Sequence, residues 1–309
     1  MLSAKAKFRL LVLLAMVLAG CAREGSSPPL VIFHADSLSA YVSALAREFE
    51  RSHPGVKVNH EGSGSLDAIR KITDLHRSCD IIMTADWRLL DKHIPGMDPY
   101  LVIFATNSLG LVYTERSAGA AEITADNWSV ILSRPDVRYG HSNPERDPAG
   151  YWTLIVWQLA ERYYHQPGLA QRLAEHCPAS NVRPHNVDLI SLLQSGELDY
   201  YFGYASDVRL GKDLKFVPLP PEVNLGDPTR TAEYGAASVE VGADGAVRRV
   251  KGGLIGYAAA LASRGENREQ AIEFTKLMMS SKGWDLAVQN GLVPYRRVVG
   301  SNPPSWLHQ

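Results

Sequence analysis

Residues 30–84 alternate between short apolar runs and stretches of helical periodicity, and that alternation narrows the fold more than any other feature. Leu30-Val31-Ile32-Phe33-His34 is a continuous apolar run of strand length. Ala35-Asp36-Ser37 turns the chain, and Leu38, Tyr41, Val42, Leu45 and Phe49 then recur at three- and four-residue spacing, which predicts an amphipathic helix ending near His53-Pro54-Gly55. The pattern repeats. Val56–Asn59 reads as a second strand, Gly62-Ser63-Gly64-Ser65 as a turn, and Leu66, Ile69, Ile72 and Leu75 as one side of a second helix. Asp80-Ile81-Ile82-Met83 is a third strand. Strands separated by crossover helices lie parallel, so the expected class is α/β.

The rest of the chain supplies a second unit and a return. Leu101–Phe104 and Leu109–Tyr113 are apolar and β-rich, split by Thr106-Asn107-Ser108, a crossover between lobes. Trp128–Leu132 reads as a short helix, Val137–His141 as a strand and Ala149–Tyr164 as a long helix opened by Asp147-Pro148. Asp188–Gln194 is helical with Gly196 just past its end, and Leu198–Tyr204 and Phe216–Leu219 are strands. Ala237–Val241 and Leu254–Ala260 are expected as strands returning to the first lobe, with closing helices at Arg268–Met279 and Lys282–Gln289. The domain expectation is therefore a lobe of residues 29–108 and 236–309, and a second lobe of residues 109–235.

The N-terminus is an address. Lys5, Lys7 and Arg9 precede the apolar run Leu10–Ala19, which has secretory-signal length and falls short of the ~20 residues needed to span a bilayer. Leu18-Ala19-Gly20-Cys21 resembles the lipobox of bacterial lipoproteins. That resemblance implies a signal peptide over 1–20, a lipid anchor on Cys21, and a Ser/Gly/Pro tether over 21–28 at the outer face of the membrane or in the periplasm. Three cysteines exclude a disulfide scaffold, and Cys79 and Cys177 are the one pair an oxidising compartment could join. A net charge of −1 leaves nucleic acid without a basic surface to meet.

Catalytic signatures are missing: no phosphate loop, no H-E-x-x-H, no C-x-x-C and no G-x-S-x-G, so an enzyme is not expected. The positive signal is three similar junctions, in which Ser37, Ser65 and Asp147-Pro148-Ala149-Gly150 each stand at the start of a helix. Helix starts present unpaired N–H groups and the positive end of the helix dipole. Several of them facing one cleft bind an anion without Lys or Arg. His34 ends an apolar strand and is either a ligand contact or a satisfied interior residue.

From Val31 to Pro294 the chain resembles the periplasmic substrate-binding proteins of molybdate/tungstate ABC transporters, particularly the tungstate-binding branch. The resemblance is carried by Phe33-His34-Ala35-Asp36-Ser37-Leu38, Gly64-Ser65, Asp80-Ile81, Ala85-Asp86, Asn127-Trp128, Arg134-Pro135-Asp136-Val137, Ser142-Asn143-Pro144, Gly196-Glu197-Leu198-Asp199-Tyr200 and Glu222-Val223-Asn224-Leu225, in that order. It implies a type II periplasmic-binding-protein fold, two α/β lobes with the oxyanion held in the cleft between them, an ABC permease as partner, a monomer, and no cofactor beyond the molybdate or tungstate ligand. It also implies oxyanion contacts from Ser37 and Ser65, and from Asp147 as a possible direct ligand to the metal. Tyr234 matches either a tyrosine whose hydroxyl touches the anion or a packing residue. Two departures stand out. Phe202-Gly203-Tyr204 replaces a Phe-Glu-Tyr motif, so a second carboxylate is missing and Gly203 and Tyr204 are expected to offer backbone N–H groups instead. Asp36, counted among the oxyanion-site residues, stands where glycine is usual and is the one carboxylate able to swing in as a substitute. The expectation is hydrogen-bonded recognition of a tetrahedral anion; another cargo such as sulfate is the alternative.

Overall fold

A computed structural model of the protein describes residues 28–91, 94–243 and 246–308; Cys21, with the signal and all but the last residue of the tether, lies outside them. The first apolar run forms β1 (Leu30–Ala35), which pairs in parallel with β2 (Val58–Ser63) and β3 (Ile81–Thr84). The crossovers are α1 (Ser39–Ser52), which buries Tyr41, Val42, Leu45 and Phe49, and α2 (Ser65–Thr73). Leu75 was expected on the second helix. The chain leaves the helix after Thr73, and Leu75 is 66% exposed. Beyond β3 the sheet turns antiparallel: β12 (Gly256–Leu261) pairs with β3 and with β4 (Tyr100–Thr106), and β13 (Val293–Gly300) closes the edge. The six-stranded order is β13-β4-β12-β3-β1-β2. Two C-terminal helices, α8 (Arg268–Met279) and α9 (Ser281–Gln289), pack on α1.

Residues 109–218 build the second sheet, in the order β7-β6-β8-β5-β9. Its strands are β5 (Leu109–Tyr113), β6 (Tyr139–Ser142), β7 (Val182–Arg183), β8 (Tyr200–Tyr204) and β9 (Lys215–Pro218). The helices of this half are α3 (Trp128–Leu132), α4 (Pro148–Tyr163), α5 (Leu169–His176), α6 (Asn186–Ser195) and α7 (Thr231–Tyr234). α4 is apolar on most of its surface and buries Trp152 and Trp157, with Phe202 of β8 edge-on to Trp157. Such a helix belongs in a core rather than on a surface.

The strand expected to return over Ala237–Val241 does not join the six-stranded sheet. It is β10 (Ser238–Ala243), and its partner is β11 (Ala246–Lys251) in a separate hairpin. Gln158 of α4 fixes the hairpin to the second half: its amide donates to the Ser238 carbonyl (3.0 Å), and its carbonyl accepts from the Ser238 N–H (3.1 Å).

The halves are joined by chain segments laced together in the middle. Asn107 N–H donates to the Ile255 carbonyl, Ile255 N–H to Leu225, and Leu109 N–H to Asn224. Leu225 lies in this ribbon, fully buried, with a φ of 63°, a left-handed conformation that a branched side chain rarely adopts. Cys79 and Cys177 are both buried and unpaired, in different apolar clusters, so the possible bridge is not formed.

Candidate functional site

The three junctions read from sequence do lie where the two halves meet, but they do not use their side chains alike. Asp147 is the N-cap of α4: one carboxylate oxygen accepts from Ala149 N–H (3.0 Å). The other accepts from Asn186 N–H (2.9 Å) at the start of α6, so one buried carboxylate ties two helix starts together. The serines are not caps. Ser65 is the first residue of α2, and its Oγ accepts from Ala85 N–H (3.0 Å) after β3. Ser37 sits in the turn before α1, and its Oγ accepts from the Tyr257 hydroxyl (3.0 Å) of β12. Each serine is buried and keeps its own O–H proton for a further acceptor.

Tyr257 continues the network toward the second half. Asn107, in the ribbon, donates from its amide to the Tyr257 hydroxyl (3.2 Å) and to Ser206 Oγ (2.8 Å). Next to Ser206 stands Asp207, fully buried. One of its oxygens, Oδ2, accepts from Asn186 Nδ2, from Tyr204 N–H (2.9 Å) and from the Tyr201 hydroxyl (3.4 Å). Its other oxygen has no hydrogen-bond partner among the described residues. Unpartnered in the same sense are the Tyr204 hydroxyl, Asn186 Oδ1 and Ser142 Oγ. Buried polar groups without partners are rare, and two of these residues, Asn186 and Tyr204, adjoin Asp207.

Gly203 has a steric reason. A Cβ there would stand 2.4 Å from the Tyr201 ring and 2.5 Å from Asp207 Oδ2. The space a side chain at 203 would claim is thus already held by Asp207. The expectation that the Tyr204 N–H faces a ligand is corrected: that N–H is spent on Asp207, and what Tyr204 has free is its hydroxyl. Gly203 lies within the β5–β8 ladder opposite Gly110. Tyr234 also departs from the expected set, because its hydroxyl donates to the Pro221 carbonyl (2.5 Å) and accepts from Asp227 N–H (3.1 Å). His34 resolves as an interior histidine, with Nδ1 on the Ala35 carbonyl and Nε2 on His60, and burial drives its pKa down to about 4.

The charges of this region are one-sided. Burial first, then the charge of Asp147, pushes Asp36 up to about 6. Burial raises Asp147 against the opposing pull of the Ala149 and Asn186 N–H groups. Burial likewise lifts Asp207 to about 7, against its hydrogen bonds from Asn186 and Tyr204. Among the described residues no group of three or more His, Cys, Asp or Glu is placed to hold a metal ion.

A second, charged set of contacts also spans the halves. Asp67 of α2 accepts from Arg146 (2.8 Å) and from His185 Nε2 (2.7 Å). Burial works against the Asp67 carboxylate, but those two donors outweigh it and hold its pKa below the usual value. Tyr151 of α4 donates to Asp86 (2.8 Å), and Arg88 reaches the Lys251 carbonyl (2.7 Å). A Cβ on Gly64 would lie 2.6 Å from the Arg146 carbonyl, so the approach there is close. Sequence reasoning missed Asn107, Asn186 and Tyr257. The polar break Thr106-Asn107-Ser108 between two apolar strands was the available signal for the first.

The model of a bacterial extracellular solute-binding protein family matches residues 30–293. An uncharacterized solute-binding protein of Petrotoga mobilis is 40% identical over 271 residues, 87% of this chain and 84% of that protein. The molybdate/tungstate-binding protein WtpA of Thermococcus kodakarensis is 35% identical over 315 residues, 90% of this chain and 88% of its own. Among solved structures, the periplasmic molybdate-binding protein of Azotobacter vinelandii superposes with a TM-score of 0.58 at 18% identity, covering 85% of this chain and 98% of that one. The sulfate-binding protein SubI of Mycobacterium tuberculosis gives 0.60 at 15%, covering 91% and 89%. Among the described residues no helix is long and apolar enough to cross a membrane. The two-sheet α/β architecture is that of periplasmic binding proteins, and the chain belongs to the bacterial extracellular solute-binding protein family.

Proposed function

We propose that this chain captures molybdate or tungstate between its two halves and delivers it to an ABC permease, as a lipid-anchored monomer held outside the cytoplasmic membrane through Cys21. The observation that carries the reading is the gathering of neutral donors with free protons, at Ser37, Ser65 and Tyr204, near Asp147, whose two carboxylate oxygens are already occupied by backbone N–H groups. An oxyanion completes those donors. The identity to molybdate/tungstate-binding relatives over most of both chains supports the cargo. Domain division follows the two sheets, and ligand closes the halves on each other because contacts from both exist together only in the closed state.

Recognition is by hydrogen bonds to a tetrahedral anion. Both oxygens of Asp147 are occupied by backbone N–H groups, which argues for a positioning role over direct metal ligation. Asp36 borders the site as a shield rather than a ligand, and Gly203 contributes room. Calorimetry with molybdate, tungstate and sulfate tests this. Molybdate and tungstate bind with similar affinity and sulfate more weakly, since such a site reads size. X-ray absorption at the metal edge then shows four short metal–oxygen distances. Additional carboxylate distances overturn the tetrahedral reading, and failure of both metal oxyanions overturns the cargo.

A further inference from the structure

We propose that anion capture at this site is linked to proton uptake, with Asp207 as the residue that takes the proton. The inference rests on the oxyanion reading above and adds the charge state in which that anion is held.

The geometry carries it. Asp207 is fully buried, and Oδ1 lacks a partner while Oδ2 has three donors. An oxyanion is an acceptor at every oxygen, so a bare carboxylate oxygen and an anion cannot satisfy each other. One proton between them resolves the conflict, and without it a buried unpaired charge stands beside a second one. The groups around Asp207 leave no other source of compensation. From β8 come Tyr201 and Tyr204, from α6 the neutral Asn186, from the cap of α4 Asp147, and from β12 Tyr257. On β9, which packs against the same turn, Lys215 is occupied by exposed Glu115. Arg209, on the turn itself, is exposed. The Tyr204 hydroxyl, buried, unpartnered and within the field of Asp147 and Asp207, is the independent sign that a guest accepts a hydrogen bond here. Among the described residues, Cys79 and Cys177 lie in apolar clusters, His34 is held by Ala35 and His60, and His185, which acts on Asp147 and Asp36, is bound to Asp67. The proton comes from solvent and stays on the carboxyl. No bond of the anion is broken.

The same pressure acts on Asp207 before any anion arrives, since burial has already lifted its pKa to about 7. A dianion beside it raises the affinity for that proton further, so the bound state holds more protons than the free state at pH above 7. By linkage, affinity for molybdate then falls by up to about tenfold per pH unit above neutrality.

The test is titration calorimetry of the full folded chain with sodium molybdate at pH 7, 8 and 9, each in two buffers of different ionisation enthalpy. Wild type takes up a net proton per anion, approaching one at pH 8, and its affinity declines with pH. Asp207→Asn, which places a neutral amide where the protonated acid would be, takes up none and binds with a flat pH profile. Asp36→Asn keeps the uptake. Binding with no proton uptake by wild type overturns the inference and leaves the cargo reading standing. Uptake that persists in Asp207→Asn, or vanishes in Asp36→Asn, overturns the assignment to Asp207. The wild-type proton count decides the first point even if Asp207→Asn does not fold. If molybdate, tungstate and sulfate all fail to bind at every pH, the oxyanion reading falls and this one with it.

Discussion

Two sets of contacts join the halves of this molecule, and they solve opposite problems. The outer set is balanced: Asp67 meets Arg146 and His185, and Asp86 meets Arg88 and Tyr151. The inner set is not. Asp147 and Asp207 are buried among tyrosines, serines and an asparagine, and their compensation is backbone N–H and, for Asp207, the Asn186 amide and the Tyr201 hydroxyl as well. Charge balance stabilises an interface but gives a ligand nothing to complete. The unbalanced interior is the one with vacant donors. A partly exposed pair such as Asp67–Arg146 contributes little individually, whereas buried groups left unpaired are expensive, so function concentrates where the hydrogen bonding is incomplete.

The strongest way to break this contrast is Asp147→Ala. It removes the cap of α4 and orphans the Asn186 N–H. A lost cap costs about 1 kcal/mol, and an unsatisfied buried group about 1–3 kcal/mol more. Thermal or denaturant unfolding should show a loss of that combined order, and a variant as stable as wild type would mean that the α6 start is held by something else. Next in size is Tyr204→Phe. The hydroxyl makes no internal bond, so stability stays within about 0.5 kcal/mol of wild type. A hydrogen bond to a charged group is worth roughly 1.5–3 kcal/mol, so molybdate affinity drops on the order of 10- to 100-fold. Unchanged affinity would remove Tyr204 from the site. Ser37→Ala is expected to fall in the same range or just below it, because Ser37 also anchors Tyr257.

A pH series sharpens the comparison without ligand. Asp207 holds its proton in the folded state up to about pH 7, whereas an unfolded aspartate releases it near its ordinary value. The folded state therefore binds more protons between those values, and stability is greatest below the ordinary value and declines as pH rises through 7. Asp67, lowered in the folded state, works in the opposite sense: its contribution is present at neutral pH and is lost as pH falls through its depressed value. Chemical denaturation from pH 4 to 8 should show the decline shrink in Asp207→Asn; an identical slope would place the raised proton elsewhere. The smallest effect is expected from Asp67→Asn. It weakens molybdate binding only a few-fold, more at low salt than at high, since screened surface pairs contribute about 0–1 kcal/mol. Equal losses at both salt concentrations would make Asp67 part of the inner set.

Periodicity made the α/β class and the placement of most strands legible, because β1, β3, β4 and β5 are fully or nearly fully buried and apolar. It could not reveal β13, whose Pro294 and adjacent Arg296 and Arg297 blur the alternation of an edge strand. Nor could it tell that β10 pairs locally, since a strand carries no mark of which sheet receives it. Ser37, Ser65 and Asp147 were found as helix-start chemistry, though only Asp147 caps. Asn186 was hidden because it acts through Asp147 and Asp207, both distant in sequence, and an isolated Asn reads as surface. Gly203 was noticed as an absence. Its cause, the Asp207 carboxylate in the vacated space, is visible only in three dimensions.

The ribbon through Asn107, Leu225 and Ile255 has a mechanical consequence. Laced segments resist sliding along one another and resist separation, yet each can twist about its own backbone. A joint of that kind leaves essentially one coordinate, an angle, to describe the relative placement of the two sheets. Leu225, wound the unfavoured way inside it, puts backbone strain at the joint itself. One well-placed pair of fluorophores would then report the whole movement, because there is no second direction for the halves to take.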